Sequence, residues 1–275
     1  MRRTNLHSVS PRSREGARKP NHPAWLALPL FLVITLPAFA QSGPAEPAVK
    51  AEAAALTRLG LDYAGSGRHA EAVEALRRAV RLDPMSAEGH YLLGAAYNNM
   101  RLHRDAIEAF QEAVRLRPEW AAAYSGLGVA YNCARRFDES LEALRKATRL
   151  NPDWAQARVN LSVTYFNSGR FREAAEAGRE AVRLGPALAE AHHRLGVAYA
   201  FLGKREEAAE SLRRAVGLRP GYAEAHGDLG AVYLLLSEKA AALEQYRVVQ
   251  ALNPALAAEL YSLIYKDKIL AADSK

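Results

Sequence analysis

The chain has 275 residues, 49% hydrophobic and 24% charged, which is ordinary for a globular protein of one large domain or two small ones. Its net charge of +7 would suggest nucleic acid or an anionic membrane, but six basic residues (Arg2, Arg3, Arg12, Arg14, Arg18, Lys19) against one acid, Glu15, lie in residues 1–40. The basic character therefore belongs mostly to a leader and argues against nucleic-acid binding by the remainder. The single cysteine, Cys133, excludes an internal disulfide and a cysteine-based zinc site, so stability must come from packing.

After its basic segment the leader runs AWLALPLFLVITLPAFA over residues 24–40, without a charge, and ends in Ala38-Phe39-Ala40 before Gln41-Ser42-Gly43. A positive n-region, a short apolar core and an A-x-A site read as a secretory signal peptide cleaved after Ala40. The alternative is an uncleaved anchor over 24–40, although Pro29 and Pro37 weaken that segment as a permanent membrane helix. Either way the remainder is expected outside the cytoplasm, in the periplasm or beyond. Membrane contact is expected only through residues 24–40. Residues 41–52 (QSGPAEPAVKAE) read as a short flexible linker.

From residue 53 a pattern of 34 residues repeats six times, over 53–86, 87–120, 121–154, 155–188, 189–222 and 223–256. Pro84, Pro118, Pro152, Pro186, Pro220 and Pro254 mark its end. The seventh position is Leu59, Leu93, Leu127, Leu161, Leu195 or Leu229, and glycine follows it in five repeats, with Ser162 in the fourth. The eleventh is always tyrosine: Tyr63, Tyr97, Tyr131, Tyr165, Tyr199 and Tyr233. Apolar residues at spacings of three and four, such as Ile107, Phe110, Ala113 and Val114, predict two amphipathic helices per repeat. In the second repeat these run from about Ala87 to Met100 and from about Arg104 to Leu116. Gly94 is expected where the two helices cross, and Gly67, Gly169 and Gly203 in the intervening turn. Such a hairpin cannot bury both its apolar faces alone and must stack on its neighbours. Residues 257–275 are expected to form a capping helix, with Leu260 and Leu263 in register.

The period and the L-G-x-x-Y…A…P pattern resemble the tetratricopeptide repeat family over about 53–256. The resemblance implies an all-α, right-handed α-solenoid of six helix-turn-helix repeats. It also implies a concave groove lined by the first helix of each repeat, at its second, fifth, ninth, twelfth and thirteenth positions. Those positions place Tyr91, Val129, Val163, Phe166, Val197, Phe201, Leu234 and Leu235 there as apolar area, His193 among them, and Asn98, Asn99, Asn132 and Asn167 as amides able to hold a peptide backbone. Asn98 and Asn132, one repeat apart, would form successive rungs; the other reading is that the asparagines end the first helix. The carboxylate clamp of chaperone-binding family members is missing from these positions.

Glu74, Glu108, Glu142, Glu176, Glu210 and Glu244 recur at one position, and Arg77, Arg145, Arg179, Arg213 and Arg247 stand three residues further on, as expected for intrahelical ion pairs. Arg81, Arg115, Arg149 and Arg183 could form a basic stripe. His90, His192 and His226 share the fourth position, but packing between repeats accounts for them better than a metal. Neither a nucleophile elbow, a phosphate loop, a zinc-protease motif nor a dinucleotide fingerprint is present. The expectation is a non-enzymatic scaffold without cofactor or metal, binding a protein or extended peptide. The alternative is a membrane-anchored assembly scaffold of an envelope complex.

Overall fold

A computed structural model of the chain describes residues 46–265, which form thirteen α-helices and no strand. The expected leader, residues 1–40, and the last ten residues of the expected cap lie outside the described residues. The helices pair in chain order. The first hairpin is α1 (Glu46–Gly65) with α2 (His69–Leu82), the second α3 (Ala87–Asn99) with α4 (His103–Leu116), and the third α5 (Ala121–Cys133) with α6 (Phe137–Leu150). The fourth is α7 (Ala155–Asn167) with α8 (Phe171–Leu184), the fifth α9 (Ala189–Phe201) with α10 (Arg205–Leu218), and the sixth α11 (Ala223–Leu235) with α12 (Lys239–Leu252). A last helix, α13 (Pro254–Ile264), closes the described array.

Helix α1 begins at Glu46, inside the stretch read as a linker. The sequence EPAVKAEAAAL is rich in alanine, tolerates Pro47 in the first turn, and pairs Lys50 with Glu46 at 2.7 Å. Its helix propensity outweighs the loop character suggested by its proline.

Each hairpin depends on a close crossing. A Cβ on Gly60 would lie 2.5 Å from Leu76 Cγ, on Gly94 2.9 Å from Phe110 Cγ, on Gly128 2.5 Å from Leu144 Cγ and on Gly196 2.7 Å from Leu212 Cγ. Glycine is required because the facing position of the second helix carries a large side chain, and Leu76, Leu144 and Leu212 are fully buried. The fourth hairpin inverts the pair. Its facing residue is Gly178, so Ser162 fits, and the buried Ser162 hydroxyl donates to the Ala174 carbonyl at 2.8 Å. At the end of the array Leu260 of α13 occupies the space that Gly230 leaves, at 2.8 Å.

The turn inside each hairpin needs one left-handed residue. Gly67, Gly169 and Gly203 supply it with φ of 72°, 77° and 75°, while Arg101, Arg135 and Ser237 hold the same repeat position at φ 59°, 60° and 64°. The amide of the residue just before the second helix then donates back to the repeat's tyrosine carbonyl, as from Arg136 to Tyr131 at 2.9 Å and from Arg170 to Tyr165 at 2.8 Å. The same arginines lie over those tyrosine rings and pair with Glu139 and Glu173.

Between hairpins, Leu93 packs with Val73 and Leu76, and Leu127 with Ile107 and Phe110, so each core is shared by two repeats. His90, His192 and His226 each place Nε2 3.0–3.1 Å from the carbonyl of the proline six residues earlier (Pro84, Pro186, Pro220). That bond ties the turn between repeats to the next helix. Among the described residues none of the five expected pairs three residues apart forms, from Glu74, Glu142, Glu176, Glu210 or Glu244, and Glu74 lies 3.9 Å from Arg81. Instead the twenty-fifth position reaches the tyrosine of the next repeat, with Arg145 donating to Tyr165 at 3.0 Å and Gln111 to Tyr131 at 2.9 Å. A partner across the stack satisfies the arginine better than a solvated neighbour on its own helix. In α13, Leu260 and Ile264 are buried but Leu263, expected in register, is exposed, because α13 packs on both α11 and α12 and turns Ile264 inward.

The crossing and the turn make opposite predictions for added and removed side chains. Gly128→Ala should lower the urea midpoint of unfolding, by the equivalent of about 1–3 kcal/mol for an overpacked site. Arg135→Gly should raise it by about 1 kcal/mol, because the left-handed strain is removed. Both are read from circular dichroism at 222 nm during urea titration.

Candidate functional site

The first helices of successive hairpins touch one another directly (α1 with α3, α3 with α5, α5 with α7, α7 with α9, α9 with α11), whereas among the described residues the second helices of successive hairpins do not. A stack that closes on one side and opens on the other bends toward the closed side. The first helices therefore line its concave wall.

The side chains on that wall meet with a one-step offset. Asn160 donates to Ser125 at 3.1 Å, Asn167 to Asn132 at 3.1 Å, and His193 Nε2 lies 2.7 Å from Asp228 Oδ2, each pair 35 residues apart. The rings of Phe166 and Phe201, also 35 apart, pack edge to face at 4.8 Å. Because the repeat is 34 residues long, these four pairs set position p of one repeat against position p + 1 of the next, whereas Gln156 donates to Glu190, 34 residues on, at 3.2 Å. Asn98 and Asn132 do not bond to each other. Asn98 Oδ1 lies 3.3 Å from His103 Nδ1 and closes its own hairpin turn, whereas Asn132 and Asn167 form the amide rung.

The wall changes character along its length. The thirteenth positions run Gly65, Asn99, Cys133, Asn167, Phe201, Leu235, all exposed, from small and polar to large and apolar. In the first half, Tyr91 is half-buried between Phe110, at 5.7 Å, and Trp120, at 4.7 Å, so it packs within its own repeat as much as it faces the groove. Val129 and Val163 are half-buried on the wall. In the second half, Phe166 and Phe201 are joined by Phe171, with ring centroids 5.3 Å and 5.0 Å away. Phe201 is 61% exposed and Leu235 49%, and with Val197, Ala200, Ala231 and Asp228 they line an open depression of about 280 Å³. Leu234 instead packs against the core shared by α12 and α13.

His193 is not a free groove residue. It is 3% exposed, and Nδ1 lies 2.9 Å from the Tyr222 hydroxyl while Nε2 meets Asp228. Both ring nitrogens are engaged inside the wall, and only the carboxylate at the end of this chain reaches the surface. Burial pushes the Tyr222 phenol above its ordinary range. Two residues of the surface escaped the sequence reading, Phe171 and Asp228. Phe171 opens a second helix directly after the left-handed turn and folds back over the first. Asp228 holds the sixth position, which the one-step offset brings to the wall.

Among the described residues there is no cluster of three or more histidine, cysteine, aspartate or glutamate side chains able to hold a metal, and no helix is long and apolar enough to cross a membrane. Residues 47–260 match the family described as the cilia and flagella-associated protein 70 C-terminal domain. A search of curated proteins returns no match. Among solved structures the chain is similar to the APC/C hetero-tetramer Cut9–Hcn1, at TM-score 0.69 and 21% identity, over 78% of this chain and 42% of that one. It is similar to pilF of Pseudomonas aeruginosa at TM-score 0.65 and 18% identity, over 83% of this chain and 100% of that one. It is also similar to YrrB, described as a TPR protein with an unusual peptide-binding site, at TM-score 0.52 and 21% identity, over 69% and 99%. At these identities the likeness is one of fold.

Removing the buried imidazole leaves the Tyr222 hydroxyl and one Asp228 oxygen without their partner. His193→Ala should therefore cost about 2–3 kcal/mol of stability, and Tyr222→Phe, which empties a single bond, about 1 kcal/mol. The urea midpoints of the two variants check this order.

Proposed function

The chain belongs to the family described as the cilia and flagella-associated protein 70 C-terminal domain, a tetratricopeptide-repeat scaffold that is not an enzyme, and from this membership we propose that its concave wall binds an extended peptide segment of another protein. The observation that carries this reading is the continuous surface in which the half-buried Phe166 and Phe171 adjoin the exposed Phe201 and Leu235, beside the Asn132–Asn167 amide pair. Apolar side chains of the peptide insert at the aromatic end. The amides hold backbone groups at the polar end, whatever the peptide sequence. The peptide-binding site named for YrrB supports this use of the fold.

For localisation the proposal rests on the leader alone: export, with cleavage after Ala40. The anchored alternative keeps residues 24–40 in a membrane. The family's name points instead to cilia and flagella, and a chain that keeps Met1 and stays in the cytoplasm would favour that setting. Mass spectrometry of the purified protein decides. A chain starting at Gln41 supports export; one starting at Met1 in a soluble cytoplasmic fraction overturns it.

The groove itself is tested with peptides selected from a random phage-displayed library on the full chain. Phe201→Asp should weaken their binding at least tenfold while leaving helicity unchanged, since Phe201 is mostly exposed. Cys133, the single thiol and a groove residue, serves as the second probe. Bound peptide should slow its alkylation by a maleimide. Undiminished binding to Phe201→Asp together with an unprotected Cys133 would place the site elsewhere.

A further inference from the structure

The depression between α9 and α11 contains one charged side chain in otherwise apolar walls. Val197, Phe201, Ala231 and Leu235 surround it, and Asp228 stands among them with its side chain 48% exposed. The carboxylate is held by an unusual amount of buried structure. Nδ1 of His193 lies 2.9 Å from the Tyr222 hydroxyl and Nε2 lies 2.7 Å from Asp228 Oδ2, so the imidazole holds one carboxylate oxygen in place from inside the wall. On the neighbouring helices, Arg205 donates to the Leu235 carbonyl at 3.1 Å and Arg194 lies 3.8 Å from Glu190.

This geometry discriminates between occupants. An aliphatic or aromatic side chain would fill the depression but cover a carboxylate that has one oxygen left to satisfy, and an unpaired carboxylate is costly to remove from water. A lysine or arginine lays its methylene stem along Phe201 and Leu235 and brings its cation to the free oxygen. The Phe201 ring face adds attraction for the same charge. We propose that the depression is a subsite for a lysine or arginine side chain of the bound peptide, with Asp228 as its selector and the buried His193, backed by Tyr222, as its positioning residues. The proposal rests on the concave wall being the peptide-binding surface.

The test uses the full chain and its Asp228→Asn variant, which keeps an acceptor for His193 and removes only the charge. Random phage-displayed peptides are selected on each. On the unaltered chain, lysine or arginine should be enriched at one position beside apolar residues; on Asp228→Asn that enrichment should vanish while the apolar preference stays. Replacing the enriched residue of one selected peptide by norleucine, a neutral side chain of similar length, should weaken binding about tenfold on the unaltered chain. It should change binding less than twofold on Asp228→Asn, as measured by fluorescence anisotropy. If selected peptides need Phe201 but show no cationic preference, or keep it on Asp228→Asn, the subsite is overturned and the groove stands. If they bind Phe201→Asp undiminished, the groove reading itself falls.

Discussion

Everything in this fold depends on two helices approaching closely enough that a methyl group would not fit between them. At Gly128 the missing Cβ leaves room for Leu144, which is fully buried, and the same exchange of hydrogen for a large side chain recurs in most of the hairpins. A tight hairpin presents its leucine at the seventh position to the preceding repeat. It also brings the first helices within reach of one another while the second helices stay apart. Curvature, and with it the concave wall, follows from that asymmetry of contact.

The wall is graded. Its first half offers amides and small side chains, and its second half offers three phenylalanines, a leucine and one carboxylate. On the proposed reading, a peptide lying across such a surface is favoured in one direction, because reversing it would set its apolar groups against asparagines and its polar backbone against Phe201. Direction and register are then specified together. Each is set by side chains that the scaffold does not need for its own stability, since Phe201 and Leu235 remain largely exposed.

Much of this was legible beforehand. The period located the hairpins, the glycines located the crossings, and the repeated tyrosine marked the end of each first helix. What could not be read was how one repeat sits on the next. Aligning repeats by position pairs Asn98 with Asn132, but along most of the wall the stacked helices meet one residue out of register, so Asn132 meets Asn167 and His193 meets Asp228, while Gln156 and Glu190 meet in register. That offset is a property of packed helices, absent from any single repeat. It hid the importance of the sixth position and made His193 look like a groove residue when it is a buried strut. The outer arginines misled for the same reason: Arg145 has a glutamate three residues before it, yet its bond goes to Tyr165 in the next hairpin.

The fourth hairpin shows what such coupling means for how the array could change. Ser162 is tolerated only because Gly178 faces it, and Gly178 is filled in turn by Leu195 of the following hairpin, whose Cα would lie 3.2 Å from an added Cβ. Grafting α7 onto a hairpin with a leucine opposite would produce a collision. Grafting α8 opposite a glycine would open a hole. Neither helix is a portable part, so recombination within this array must trade complete hairpins, and the fourth must travel with the leucine that completes it.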